Sequence, residues 1–476
     1  MELYNLLSGA EIWLYGTTYN INLNWIGELI RLLITGVGSV GVGVILFSVI
    51  LKVIVLPFDV YQRITMRKQN IKMKENKEKM AKLQKQYAND KEKYNQKLME
   101  MYKESGISPC SSCLPMILSM VIFIVAINAF NAYSQYANVK NYNDMVHAYN
   151  TKLESYCADL TPTADDGVIV VEVANNEDSR LRISDNAEGK YIYYEVSKPA
   201  NFDINNIDYT KISAAEKYFY VDIEKVFSSG DTAMINAINA LKDTNTTETD
   251  ENKKTAKAVS DYFISLAQQE VLQTYKEEIY YNSSFLWIKN IWETDASYKT
   301  PIVVYKDFEA QAKTQKFNVE GKEVSYGKIG NYTGANNPYE SNAYNYVTGA
   351  LKEQKSAPNG YFILIVLSIG TILLQQIITM RSQKEQQQFS TVDGEGAAQQ
   401  KTMLVVMTVM FAVFSFMYSS AFSIYMIMSN VLSLGSTLII NKIVDVVMRK
   451  REEKAFLEKH QRVAKKPVET PKKKSK

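Results

Sequence analysis

The feature that most constrains this chain is the placement of its apolar residues, which gather into five blocks, each about as long as a bilayer crossing. The blocks are residues 36–57, Leu114 to Phe130, Tyr361 to Thr379, Thr402 to Tyr418 and Ala421 to Ile440. A soluble protein spreads such residues along amphipathic stripes. Concentration into blocks predicts an α-helical polytopic membrane protein with five transmembrane helices.

The charge between the blocks orients it. Residues 58–111 hold 13 Lys/Arg against 7 Asp/Glu, and residues 442–476 hold 13 against 5. These are the expected cytoplasmic segments under the positive-inside rule. Residues 134–359 hold 23 Lys/Arg against 33 Asp/Glu, which reads as the outer face. The predicted order begins with an outer amphipathic helix at 20–35, a first crossing at 36–57 and a cytoplasmic helical hairpin at 58–111. A second crossing at 112–133 leads to an α+β extracytoplasmic module at 134–359. A third crossing at 360–380, a cytoplasmic loop at 381–401, crossings at 402–418 and 421–441, and a basic cytoplasmic tail at 442–476 complete it. The N-terminus is then outside and the C-terminus inside, and Met1 to Tyr19, with Glu2 and Glu11 and no basic start, does not read as a signal peptide.

Several chemistries are disfavoured. The C-x-x-C of Cys110 and Cys113 lacks a second ligand pair or a thioredoxin-like setting, and the chain has only His147 and His460, so no metal and no cofactor is expected. GVGSVG at Gly36 to Gly41 matches the dinucleotide fingerprint, with Asp59 further on, but an apolar helix-length run follows instead of a βα alternation. It is expected to be a flexible membrane entry.

Locally, NWIGELIRLLIT at Asn24 to Thr35 puts Trp25, Leu29, Leu32 and Leu33 at helical spacing, the pattern of an interfacial helix. Tyr61 to Glu104 contains no Pro or Gly and is expected to be helical. Its one weak point is YAND at Tyr87 to Asp90, which predicts two antiparallel helices rather than one rod of about 65 Å. Ile71, Met80, Leu83, Leu98 and Met101 seal one helix on the other in the plainest reading. Gly167 to Val173 and Lys190 to Val196 read as strands, and Ala233 to Lys242 and Lys254 to Glu278 as helices.

One full charge sits inside the first block, Lys52 in VILFSVILKVIVLPF. An ammonium near a bilayer centre costs roughly 2.5 to 3.5 kcal/mol on insertion scales, so Lys52 either faces a polar cavity or snorkels to an interface. Taken alone, Lys52→Met removes that cost and favours the helix in the membrane.

The order of amphipathic outer helix, charged membrane helix, basic hairpin, second crossing, three further crossings and basic tail resembles the YidC-type membrane protein insertases, the YidC/Oxa/Alb family. The residues that carry the resemblance are NWIGELIRLL, ILFSVILKVIVLP, LQKQYANDKEKYNQKLMEMYKESGISP, CLPMILSM, FLWIKNIWETD, ILLQQ and IYMIMSNVLSL. The resemblance covers about half the chain, essentially everything inside or beneath the membrane. FLWI lies in a short outer connection in the family, so the module here looks like two insertions flanking it.

The resemblance implies a membrane protein insertase and chaperone of the bacterial plasma membrane, not an enzyme. It would move newly made membrane proteins into the lipid bilayer through a hydrophilic groove, alone or with the Sec translocon. Lys52 matches the position of a groove cation that is usually Arg, and Lys loses the planar fork that grips a carboxylate bidentately. Ser48, Ser119, Gln375, Gln376 and Asn430 are candidates to line the groove with it, Ser119 standing where the family often has Gln. Each has an alternative role, the serines bonding their own backbone and the glutamines facing headgroups. Met426 stands where the family commonly has Trp. The hairpin would receive the substrate, and the tail would contact either the ribosome or anionic lipid. Two rival classes are a transporter, which predicts internal repeats, and a surface receptor with an outer ligand-binding module. The sequence displays no duplication, and a receptor leaves the polar residues of several crossings unexplained.

Overall fold

The computed structural model describes residues 10–14, 17–21, 23, 25–106, 114–158, 170–171, 181–184, 191–199, 216–246, 249, 251–319, 322–325, 344, 347–382 and 396–464. The chain begins with the hairpin of β1 (Ala10–Leu14) and β2 (Thr17–Ile21) and enters α1 (Trp25–Val37). The buried side of α1 is Ile26, Ile30 and Arg31, whereas Trp25 and Leu32, expected on one apolar stripe, are exposed. Helix α1 is therefore apolar on two sides, one against protein and one open. Arg31 is held by Glu28 one turn back at 2.8 Å.

Gly38, with φ of 69°, takes the left-handed conformation that ends α1, and α2 (Val40–Glu75) starts two residues later. A Cβ at Gly41 would lie 2.0 Å from the Phe285 ring, so glycine is required there by close approach. GVGSVG thus joins two helices, with no strand directly before it. Helix α2 runs through Pro57, whose missing N–H leaves the Val53 carbonyl without its usual partner.

After α2 come α3 (Lys77–Gln86) and α4 (Lys91–Glu104). The break at Tyr87 to Asn89 lies where the sequence predicts one, and Asp90 caps α4 by accepting from the Lys93 N–H at 3.0 Å. A second break, at Asn76, was not expected. There the amide side chain donates to the Lys72 carbonyl at 2.9 Å, sharing it with the Asn76 N–H at 3.1 Å. Met73, Met80, Tyr94, Leu98 and Met101 form the shared core of this hairpin, and Lys72 Nζ closes its open end on the Gly106 carbonyl at 2.8 Å.

Helix α5 (Leu114–Ala158) leads to the segment expected to be α+β. It contains β3 (Val170–Val171), β4 (Leu181–Ser184), β5 (Tyr191–Pro199) and β6 (Glu216–Asp222), an antiparallel sheet in chain order. Helices α6 (Ile223–Ser228), α7 (Thr232–Thr244) and α8 (Glu251–Thr274) follow. A π-helical turn at Tyr275–Ile279 joins α8 to α9 (Tyr280–Ser283). After a loop come α10 (Tyr305–Thr314) and the hairpin β7 (Lys316–Val319) and β8 (Lys322–Ser325). A second antiparallel sheet, β1-β2-β7-β8, pairs Ile21 with Phe317 and so joins the chain's first strands to ones three hundred residues later. The last helices are α11 (Lys352–Ser356), α12 (Ile363–Ser382), α13 (Gly396–Met417) and α14 (Ser420–Ala464).

The chain divides into two compact units. One comprises residues 1–47, 125–366 and 414–424, the other 48–124, 367–413 and 425–476. Every boundary between them falls inside a helix, namely α2, α5, α12, α13 or α14. In the first unit a ring cluster of Tyr142, Phe308 and Tyr344, with centroids 4.6 to 4.8 Å apart, packs α5 against α10. In the second, Phe123 of α5 meets Phe411 of α13 edge to face at 4.7 Å.

Among the described residues, Val40–Tyr61 and Ser420–Ile440 are long and apolar enough to cross a membrane, while Ile363–Ile378 and Thr408–Met417 are shorter apolar helices. The side chains of 114–120, in the second expected crossing, lie outside the described residues.

Candidate functional site

Helix periodicity places Ser48, Lys52 and Asp59 on one face of α2, since steps of four and seven return to nearly the same direction. Lys52 Nζ donates to Asp59 Oδ2 at 2.5 Å and to Ser433 Oγ of α14 at 2.8 Å. The side chains of Lys52 and Asp59 are only 14% and 24% exposed. Ser48, one turn before, is buried. The charge of Lys52 is therefore matched and hydrogen-bonded within the protein rather than carried to water at a helix end.

On α14 the positions Met426, Asn430, Ser433 and Thr437 repeat at steps of three or four and share a face. Asn430 Nδ2 donates to Thr371 Oγ1 of α12 at 3.4 Å, and Met426 and Thr437 are buried. Gln376 Oε1 accepts from Thr408 Oγ1 of α13 at 3.2 Å. Gln375 is half-buried beside it, and the Ser119 side chain lies outside the described residues. Polar pairs of this kind hold helices together where water is excluded. Of the sequence-predicted residues, Lys52 and Ser48 are brought onto one face, Asn430 lies one turn from Lys52's partner Ser433, and Gln376 belongs to a separate pair. Asp59, Ser433, Thr371 and Thr408 were not expected. Only Asp59 carried a signal, its seven-residue spacing from Lys52.

In the other unit the loop Phe285 to Thr300 holds a second polar centre. Phe285 and Ile288 exchange backbone hydrogen bonds around Leu286, whose φ of 54° is rare for a branched residue. Asn290 Nδ2 donates to Asn138 Oδ1 at 3.2 Å and to the Pro301 carbonyl at 2.9 Å, while its Oδ1 accepts from the Trp292 N–H at 3.0 Å. Asp295 caps α12, its two oxygens accepting from the N–H groups of Tyr361 at 2.7 Å and Leu364 at 2.6 Å. The Glu293 carbonyl accepts from Ser420, through N–H at 2.8 Å and Oγ at 2.7 Å, at the start of α14. One loop thereby ties the N-termini of α12 and α14 to α5.

The Glu293 side chain is buried, accepting from Asn138 Nδ2 at 2.9 Å with Lys299 Nζ 3.8 Å away. Burial pushes its carboxyl above the ordinary range, against the opposing pull of Lys299 and the hydrogen bond from Gln311. The folded chain then binds this proton more tightly than the unfolded one. Its stabilising share is complete below the unfolded carboxyl value and is lost as pH rises through the folded one. Glu293→Gln is expected to remove this pH-dependent share, so that the melting temperature of the variant relative to wild type rises from about pH 4 upward. Thermal unfolding in detergent across that range measures it, and an unchanged slope assigns the dependence elsewhere.

Apolar side chains face outward on four helices: Val53, Ile54 and Phe58 of α2, Val366 and Leu374 of α12, Val405 and Val409 of α13, and Leu438 and Ile439 of α14. Polar groups pair between those helices, the inverse of a water-soluble arrangement. These features define a helical membrane protein. The chain belongs to the 60Kd inner membrane protein family, whose model matches residues 32–163 and 262–447, about two thirds of its length. It is 36% identical over 98 residues to the membrane protein insertase YidC of Caldanaerobacter subterraneus subsp. tengcongensis, covering 21% of this chain and 46% of that protein. It is 31% identical over 104 residues to the membrane protein insertase YidC of Fusobacterium nucleatum, covering 22% and 49%. The YidC insertase of Clostridium perfringens matches at 36% over 97 residues, covering 20% and 39%. The chain thus spans less than half the length of these relatives. No solved structure matches it.

Proposed function

We propose that this chain is a membrane protein insertase and chaperone of a bacterial plasma membrane. It has five crossings, its N-terminus and the module 134–359 outside, and its hairpin and basic tail in the cytoplasm. Newly made membrane proteins and the lipid bilayer are its partners; it works alone or with the Sec translocon, and its basic tail contacts either the ribosome or anionic lipid. The observation that carries the reading is a lysine only 14% exposed, inside a helix long and apolar enough to span, and hydrogen-bonded to Asp59 and Ser433. A polar segment crossing a bilayer meets several kcal/mol for each unsatisfied group. A polar path past Lys52, Ser48, Ser119, Gln375, Gln376 and Asn430 lowers that barrier, and the weak screening there strengthens attraction to acidic groups. No bond is made or broken.

The purified full chain in liposomes should insert a small single-crossing protein, read as a protease-protected fragment. Equal protection in protein-free liposomes overturns the reading. In intact cells an impermeant maleimide should reach Cys157 and spare Cys110 and Cys113, and the reverse pattern inverts the orientation.

A further inference from the structure

We propose that Asp59 occupies the place on Lys52 that an acidic side chain of an arriving segment would take, and that it thereby sets how strongly the protein favours acidic over neutral segments. This rests on the insertase reading above and names the internal competitor at the same site.

Asp59 Oδ2 and Ser433 Oγ take two of the three donors on Lys52 Nζ. With Lys52 only 14% exposed, little of the ammonium is left for a guest. An acidic segment therefore meets a neutralised pair, and it gains the cation only by displacing Asp59. Displacement is feasible by construction. Asp59 is the more exposed partner at 24%, it sits on a short side chain, and Pro57 between the two removes one hydrogen bond from the intervening helix. Ser433 is anchored on a different helix and can keep Lys52 oriented while the carboxylates exchange. A neutral polar segment needs no such exchange. Asp59 therefore acts on the ratio between the two kinds of segment, not merely on the rate.

The test uses the full chain in liposomes and two single-crossing proteins that differ only in the translocated tail, Asp/Glu-rich in one and Asn/Gln-rich in the other. Wild type, Asp59→Asn, Asp59→Glu and the double variant Lys52→Met with Asp59→Asn are compared at equal amounts of folded protein. The expected result is a rise in the acidic-to-neutral insertion ratio of about tenfold in Asp59→Asn, the factor corresponding to about 1.4 kcal/mol of removed competition. Asp59→Glu should stay near wild type, and the double variant should lose the rise. If Asp59→Asn lowers both substrates together or leaves the ratio unchanged while wild type inserts, the pair is structural and the proposal fails. If wild type inserts neither substrate, the insertase reading itself fails.

Discussion

Lys52→Met is expected to destabilise the full chain by roughly 2 to 5 kcal/mol, because it strands the Asp59 carboxylate in a site built around a cation. The 24% exposure of Asp59 places the effect toward the lower end, since water can reach part of the orphaned charge. The sequence alone predicts the opposite sign, as it contains the cost of burying Lys52 but not the partner that offsets it. The double change Lys52→Met with Asp59→Asn should recover most of the loss, leaving a neutral site of similar volume. Lys52→Arg should stay close to wild type in stability and hold acidic tails at least as well, because the guanidinium keeps the charge and presents its donors in a planar fork that can grip a carboxylate bidentately. Thermal unfolding in detergent measures all three. If the single and double methionine variants melt together, the pair contributes nothing and the account of Lys52 is wrong.

Asn290→Ala should cost roughly 3 to 5 kcal/mol, a large part of the stability of an ordinary domain. Asn290 is 4% exposed, and its amide serves Asn138, the Pro301 carbonyl and the Trp292 N–H at once. Truncation leaves all three without that partner. Each buried orphan costs about 1 to 3 kcal/mol, and relaxation or an entering water recovers some of the total. Asn290→Asp tests the direction of the bonds: it keeps the acceptor for Trp292 but turns a carboxylate toward the Asn138 and Pro301 oxygens. It should be at least as damaging as alanine. The damage should extend beyond the loop, because Asn359 binds the Asn290 backbone on both sides, donating to its carbonyl at 2.9 Å and accepting from its N–H at 2.7 Å, just ahead of α12. Hydrogen exchange at the first turns of α12 and α14 reads this spread. Wild-type protection there, with an unchanged melting temperature, would show that the loop follows the helices rather than holding them.

What the sequence determined by itself follows from local physics. Apolar blocks, the absence of Pro and Gly from Tyr61 to Glu104, and the capping residue Asp90 specify helices and one of their breaks, because helix propensity, capping and burial act over a few residues. Strand pieces near Val170 and Tyr191 and the helices near Thr232 and Glu251 were legible for the same reason. The exposed side of α1 was not, because a helix apolar on two sides does not reveal in its periodicity which of them meets protein. Nor was the break at Asn76, a single asparagine within a good helical background.

The candidate site divides in the same way. Lys52 stands out in sequence because a charge in an apolar run is costly wherever the run ends up. Its partner Asp59 was half legible, seven residues along the same helix. Ser433, 381 positions away, carries no local mark, and neither do the contacts of Asn290 with Asn138 or of Glu293 with Ser420. Each of those polar groups would be satisfied equally well by water in an unfolded chain. Only when packing removes the water does a particular distant partner become worth its hydrogen bond, and that selection is made by the tertiary structure alone.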